Sequence, residues 1–291
     1  VLKQGRYLDL GWLLILGALW GSSYLFIKVA VADVPALTLV AARLGLGAAV
    51  LWVVLRATGR SMPRSRSTWG AFAVMGLLNG ALPYSLIFWG EQYIPSGLAA
   101  LLQSTMPIFT VILAHFLARG DRMTLPKVLG VVAGFVGVGL LMYSDLQQGL
   151  HANLWGQAAI VASSLSYAGA TIFAKSQLQG QPAMVATTGQ LTAGAALILP
   201  LSLVVDRPFH LSPSWAAIGS WLGLTLLGTA VAYVIYYALI ERTNATFVST
   251  VTYVTPVNGL ILGALVLGEP LTVTLLASLG LILVGVLLVR S

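Results

Sequence analysis

Arg43 is the residue in this 291-residue chain with the most unusual address. It lies about two turns inside an apolar run over 36–56, where insertion of an ionised side chain costs about 2.5–3.5 kcal/mol. A guanidinium at that depth faces protein or water. It either caps carbonyls or pairs with an acid as a structural group, or it receives a substrate carboxylate or acts as a gate charge. Other runs carry polar and aromatic residues at comparable depth. Trp20, Ser22, Ser23 and Tyr24 share one run, and Asn79 and Tyr84 another. Gln103, Ser104 and Thr105 precede Pro107; Thr250, Thr252, Tyr253 and Thr255 precede Pro256, with Asn258 beyond it. Ser163, Ser164, Ser166, Tyr167 and Thr171 form a further group, and Tyr233, Tyr236 and Tyr237 another.

Most of the Ser and Thr residues read as helix packing and back-bonding to the backbone, and many Trp and Tyr residues as interface anchors. Trp20, Tyr84, Tyr167, Tyr233 and Tyr253 sit away from the expected ends of their runs, and a buried phenol or indole needs a partner. We therefore expect Trp20, Ser23, Tyr24, Arg43, Asn79, Tyr84, Gln103, Tyr167, Tyr233, Tyr253 and Asn258 to line a wet substrate site. Aromatic rings would stack on a substrate or hold an ammonium, and Arg43 or an amide would take a carboxylate. Pro107 and Pro256 each remove a backbone hydrogen bond and are the expected gates.

Other chemistries lack their parts. No Cys is present, and His115, His151 and His210 are scattered. No acidic pair is close in sequence, and no Gly-rich nucleotide loop occurs. An integral-membrane enzyme and a non-transporting receptor are both poor readings, and neither a cofactor nor a metal is called for. No acid lies convincingly mid-run: Glu91 and Glu241 sit at run ends, and Asp121 and Glu269 in connections. Efflux of lipophilic cations generally needs a buried carboxylate, so a drug or organic-cation exporter is the runner-up to a carrier of zwitterionic metabolites.

The elements that position these residues follow from composition. Hydrophobic residues make up 58%, charged residues 8%, and mean hydropathy is +0.92. A soluble domain has about 25% charged residues. The runs are continuous rather than alternating, so the surface suits lipid and the spans are helices, not barrel strands. Crossing the hydrocarbon takes about 20 apolar residues, and ten runs qualify: 8–30, 36–56, 68–90, 96–118, 125–144, 154–174, 183–204, 214–239, 246–267 and 271–289. We number them as spans one to ten. Lys3 and Arg6 before span one resemble a signal peptide, but the run is too long for one.

With the N-terminus in the cytoplasm, the inner segments hold Lys3, Arg6, Arg56, Arg60, Arg64, Arg66, Arg119, Arg122, Lys127, Lys175, Arg242 and Arg290. That is 12 of the 15 Lys plus Arg. The outer side holds Lys28, expected to snorkel to the boundary, and Arg207. Such a split follows the positive-inside rule and predicts both termini in the cytoplasm. It also removes the nucleic-acid reading of the +7 net charge.

The chain also repeats itself. A shift of 147 brings Trp20 onto Tyr167, Lys28 onto Lys175 and Pro35-Ala36 onto Pro182-Ala183. A shift of 149 brings Tyr84 onto Tyr233 and Pro107 onto Pro256; a shift of 148 brings Asp121 onto Glu269 and Gly137 onto Gly285. Two halves, 1–147 and 148–291, with five spans each, must lie upside down to one another. Inverted repeats are an architecture of secondary transporters, with the substrate near the midplane.

Trp20-Gly21-Ser22-Ser23, Lys28, Pro35 and Arg43 in the first half, Tyr167-Ala168, Lys175 and Pro182 in the second, and the pairs Asp121/Thr124 and Glu269/Thr272 together resemble the EamA type of the drug/metabolite transporter superfamily. Among its members the sequence is most similar to YddG-type bacterial exporters of amino acids, aromatic ones included. The resemblance implies an all-α membrane protein of ten helices with both termini cytoplasmic. Helices one to four and six to nine would surround a central cavity, with five and ten as scaffold. It also implies export across the bacterial inner membrane by alternating access. Gln190 stands where the repeat of Arg43 would be, so the role of Arg43 is not symmetric.

Overall fold

In the computed structural model, residues 2–117 and 123–290 are described. Their regular structure is entirely helical. Ten helices are long and apolar enough to cross a membrane: Tyr7–Ala30, Ala36–Ala57, Arg66–Gly90, Ser96–Leu117, Leu125–Gln147, His151–Gln177, Ala183–Val205, Trp215–Ile240, Phe247–Leu267 and Val273–Arg290. They match spans one to ten. Asp121, Arg119 and Arg122 lie outside the described residues. Ten crossings put both termini on one side, the terminal side; the opposite side is the far side.

Local chemistry explains the ends. Ser65 accepts a hydrogen bond from Thr68 N at 3.4 Å and Ser214 from Ala217 N at 3.2 Å, capping spans three and eight. Asn244 accepts from Phe247 N at 2.8 Å at the start of span nine. These side-chain oxygens satisfy amides that a first helical turn leaves free. Gly268 ends span nine with φ 67°, a left-handed conformation that glycine adopts without strain.

Several spans depart from a straight α-helix along their length. Spans three and eight each contain a π-helical turn, at Leu77–Ala81 and Leu226–Val231. Such a turn inserts an extra residue and redirects side chains. Span four breaks at Ser104 and Thr105, whose hydroxyls donate to Leu101 O and Leu102 O at 2.6 and 2.7 Å. Pro107 follows in the next helical piece, Met106–Leu117, and Ser164 Oγ donates to the Gln103 carbonyl at 3.3 Å. In span nine the break falls at Thr250, and Pro256 lies inside the helix Val251–Leu267 that follows.

Span one packs along spans nine and eight, and span six along spans four and three. Spans two and seven pack on each other, as do spans five and ten. The last pair meets backbone to backbone: a Cβ on Gly285 would lie 2.7 Å from Gly130 O, and one on Gly130 would lie 2.6 Å from Gly285 O. Small residues at such crossings allow close dispersion contact, which drives helix association in lipid.

The buried apolar core is not evenly distributed. Toward the far side, residues from nearly all spans, among them Ile27, Leu39, Phe88, Leu101, Ile160, Leu224 and Leu260, form one cluster. That cluster continues to Leu51 and Val286 near the terminal-side ends of spans two and ten, and two smaller clusters lie beside it on the terminal side. Leu13, Leu16, Ile235, Leu239 and Val251 join spans one, eight and nine. Leu55, Phe72 and Val185 join spans two, three and seven.

Three carboxylates tie the two halves together on the far side. Asp206 Oδ2 accepts from Thr38 N at 2.7 Å and Thr38 Oγ1 at 2.8 Å. Asp33 Oδ2 accepts from Ser214 N at 3.1 Å. Glu269 accepts from Ser96 N at 2.6 Å and Gly97 N at 2.9 Å. The two Ser214 hydrogen bonds hold the Asp33 carboxyl below the usual carboxylate range. Each carboxylate sits at a helix N-terminus, where free amides and the helix dipole favour negative charge. On the terminal side Arg242 Nε pairs with Asp9 Oδ1 at 2.9 Å.

Lys28 finds acceptors within the protein. It lies half-buried near the far end of span one, and its ammonium donates to the carbonyls of Glu91 at 2.6 Å and Ile94 at 2.9 Å. The turn between spans three and four leaves these oxygens free to accept from it.

Candidate functional site

Arg43 is 6% exposed and lies at the crossing of spans two, three and eight. Its Cζ stands 4.2 Å from the centroid of Tyr84 and 6.0 Å from that of Phe88. Its Nε donates to Thr229 Oγ1 at 3.2 Å. Thr229 belongs to the π-helical turn of span eight. Arg43 forms no ion pair with any described residue, and its hydrogen bond to protein runs through Nε. A guanidinium carries five N–H donors, so the Nη groups remain to receive an acceptor. The cation is spread over an aromatic face, an arrangement worth about 0.5–2 kcal/mol.

Gln190 of span seven, 147 residues after Arg43, behaves in parallel: its Oε1 accepts from Asn79 Nδ2 at 3.2 Å. Asn79 lies on the other π-helical turn, in span three. Ser166 Oγ donates at 2.8 Å to Leu78 O in the same turn. Each redirected turn thus meets a polar side chain from span two or seven.

Tyr167 meets Tyr84 edge to face at 6.4 Å, extending the Arg43 group to span six. Tyr24 is buried in the same apolar cluster as Tyr84. Toward the terminal side Trp20 contacts Tyr233 at 6.5 Å and Tyr236 at 5.7 Å, and Tyr233 stacks on Tyr237 at 5.9 Å. The structure therefore brings Arg43, Tyr84 and Tyr167 together, and places Trp20 and Tyr233 in a second aromatic group.

Other expected residues are engaged in packing. Ser23 Oγ donates to Leu19 O at 3.1 Å, within the space a Cβ on Gly228 would need. Asn258 donates to Val254 O at 3.2 Å, and its Cβ lies 2.7 Å from where Gly21 would carry one. Gln103 Oε1 accepts from Ser163 Oγ at 2.7 Å, while its Nε2 is buried without a partner. Tyr253 turns to span ten, with its hydroxyl 3.4 Å from Val286 O and its ring 4.9 Å from Arg290 Cζ; it does not join the Arg43 group.

Sequence reasoning missed Thr229, whose role depends on the π-helical turn, and the complete burial of Glu91. Two clefts on the far side, of about 200 and 680 Å³, contain none of the expected residues. Among the described residues no His, Asp and Glu cluster suited to a metal ion occurs.

Comparison with known proteins gives the same architecture. The uncharacterised transporter YoaV of Bacillus subtilis is 25% identical over 268 residues, 92% of this chain and 91% of its own. The uncharacterised inner membrane transporter YedA of Escherichia coli K12 is 27% identical over 280 residues, 96% of this chain and 89% of its own. The protein PecM of Dickeya dadantii is 27% identical over 277 residues, 94% of this chain and 86% of its own. A crystal structure at 19% identity covers 98% of this chain and 97% of the other with a TM-score of 0.67, a likeness of fold. The EamA-like transporter family matches twice in succession, over residues 9–143 and 154–291. With ten apolar helices and two matches that together take in almost every span, the chain belongs to the EamA-like transporter family.

Proposed function

We propose that this protein is a secondary transporter that exports amino acids or related small zwitterionic metabolites across the bacterial inner membrane by alternating access. The observation that carries the substrate class is Arg43: a buried guanidinium, supported by Tyr84 and Thr229, with no described carboxylate to pair with it. Such a cation has spare donors suited to a substrate carboxylate. The neighbouring tyrosines offer an apolar and π-rich surface to the rest of the substrate.

Two inverted halves about a central path are part of this reading. It is supported by the two successive family matches, by the π-helical turns at corresponding places, and by pairings that interchange under the swap of halves. Span one against nine corresponds to span six against four. Placing the terminal side in the cytoplasm rests on the distribution of Lys and Arg. On this reading, the two small terminal-side clusters, separate from each other, support a state closed outward.

The aromatic group of Trp20, Tyr233, Tyr236 and Tyr237 favours a second reading, efflux of an organic cation held by cation–π contact. The charge of Arg43 opposes it. The two separate in proteoliposome counterflow with labelled amino acids and cationic dyes. Exchange of neutral amino acids supports our reading, and exchange of dyes without amino acids replaces it with the second.

A further inference from the structure

Glu91 follows the last helical residue of span three and is fully buried. Neither carboxyl oxygen has a hydrogen-bond partner. The nearby Ser96 Oγ is also buried without one. The backbone around Glu91 is fixed: its N–H donates to Ile87 O at 2.9 Å, and its carbonyl accepts from Lys28 Nζ at 2.6 Å. The preceding Gly90 is pressed against Gly156 and Ile160 of span six, a Cβ there lying 2.9 Å from Gly156 O. Span two, which brings Arg43, faces it from the other side, so the side chain reaches water only if span two parts from spans three and six.

The charged and titratable groups that face it are Lys28 and Tyr24 from span one, Arg43 from span two and Glu269 from the turn between spans nine and ten. From span six, Gly156 and Ile160 pack against the adjoining Gly90. The Glu269 carboxylate is occupied by two backbone amides, and the Lys28 ammonium by two carbonyls. Lys28 forms no ion pair with Glu91 within 4.0 Å. An ionised Glu91 would therefore be a buried charge without a donor in contact, which costs several kcal/mol; the neutral acid avoids that cost.

We propose that Glu91 is a proton-binding site of the far-side gate: the gate closes with a proton on Glu91 and releases it to the outer solution when it opens. The site takes no other ligand. This rests on the alternating-access reading above and adds to it a dependence on external pH. Burial works in the required direction, pushing the Glu91 carboxyl well above the usual carboxylate range, with Lys28 opposing and Glu269 reinforcing it. The sign follows: a proton bound more tightly in the closed state favours closure as pH falls. For one proton the closed-to-open ratio changes by up to about tenfold per pH unit between the two pKa values.

The chain has no Cys, so an introduced pair reports alone. On the terminal side the cores part between spans one, eight and nine and spans two, three and seven. The inverted counterpart would separate spans three, four and six from spans two, seven and eight on the far side. His151→Cys at the start of span six and Phe209→Cys after span seven lie on opposite banks of that separation. Single-molecule energy transfer between dyes at these positions, in reconstituted full-length protein from pH 5 to 8.5, should show the long-distance population growing as pH rises. Glu91→Gln, which mimics the protonated acid, should hold the short distance at every pH, with thermal stability at pH 7.5 no lower than the natural chain's. Glu91→Asp should keep the response with a displaced midpoint. A Glu91→Gln protein that responds to pH like the natural chain overturns the inference and leaves alternating access standing. A natural chain whose distance never changes with pH also overturns it; if transported substrate leaves that distance fixed too, the alternating-access reading falls with it.

Discussion

Glu269 offers the most quantitative test of how the far side is held. Its carboxylate receives Ser96 N at 2.6 Å and Gly97 N at 2.9 Å, so one side chain from the second half caps span four of the first. Ser96 and Gly97 are buried, whereas Glu269 borders a far-side cleft, so the cost is greatest where water from that cleft fails to reach the two amides. Leaving a buried donor unsatisfied costs about 1–3 kcal/mol, so Glu269→Ala, which strands two amides, should destabilise the closed far side by about 2–6 kcal/mol. At 1.36 kcal/mol per tenfold, even the low end is about a 30-fold fall in the closed-to-open ratio. Glu269→Gln keeps one carbonyl acceptor and loses the charge, so it should fall about midway. The assay is the labelling rate of a single cysteine introduced at Leu101, which is fully buried and borders neither cleft, by an impermeant maleimide. If Glu269→Ala leaves that rate within twofold of the natural chain while the protein remains folded, the carboxylate does not hold the gate and the reasoning from hydrogen bonds fails.

Further expectations follow from single contacts. Thr229→Val removes the hydroxyl that receives Arg43 Nε; KM for an amino acid should rise several-fold in proteoliposome uptake, and Thr229→Ser should restore it. Gly285→Val forces side-chain atoms into the Gly130 and Gly134 backbone and should sharply lower the yield of monodisperse protein, whereas Gly139→Ala, which meets open space, should be tolerated. The Asp33 carboxyl is held below its ordinary value of 3.8 by Ser214. Its contribution is therefore full above that value and lost only as pH falls through the lower folded-state pKa. Asp33→Asn should accordingly leave the pH 5–8.5 response assigned to Glu91 unchanged, which the same energy-transfer pair can check.

The number and order of the spans were legible because a run of about 20 apolar residues has few readings other than a transmembrane helix. Breakers such as Pro35, Pro95 and Pro182 fell where helices start. Which way a mid-span residue points was less legible. In lipid the outward face is as apolar as the packed face, so the pattern carries little amphipathic signal. Tyr84 and Tyr253 look alike in sequence, yet one lies under Arg43 and the other turns to span ten. The π-helical turns also lack a compositional mark, because they are a shift in hydrogen-bond register. Without them the contact between Arg43 and Thr229 could not be foreseen. Glu91 shows a different limit: position along the chain gives depth across the membrane but not whether a neighbouring helix covers the side chain.

The most direct measurement compares counterflow of a neutral amino acid with that of its carboxamide, which lacks the carboxylate, in the natural chain and in Arg43→Gln. A charge-assisted hydrogen bond to a substrate carboxylate is worth about 1.5–3 kcal/mol, so the natural chain should prefer the acid by about tenfold or more. Arg43→Gln should lose most of that preference while still reaching the membrane. Equal preference for the acid in the two proteins would contradict the account, because the carboxylate would then be recognised elsewhere.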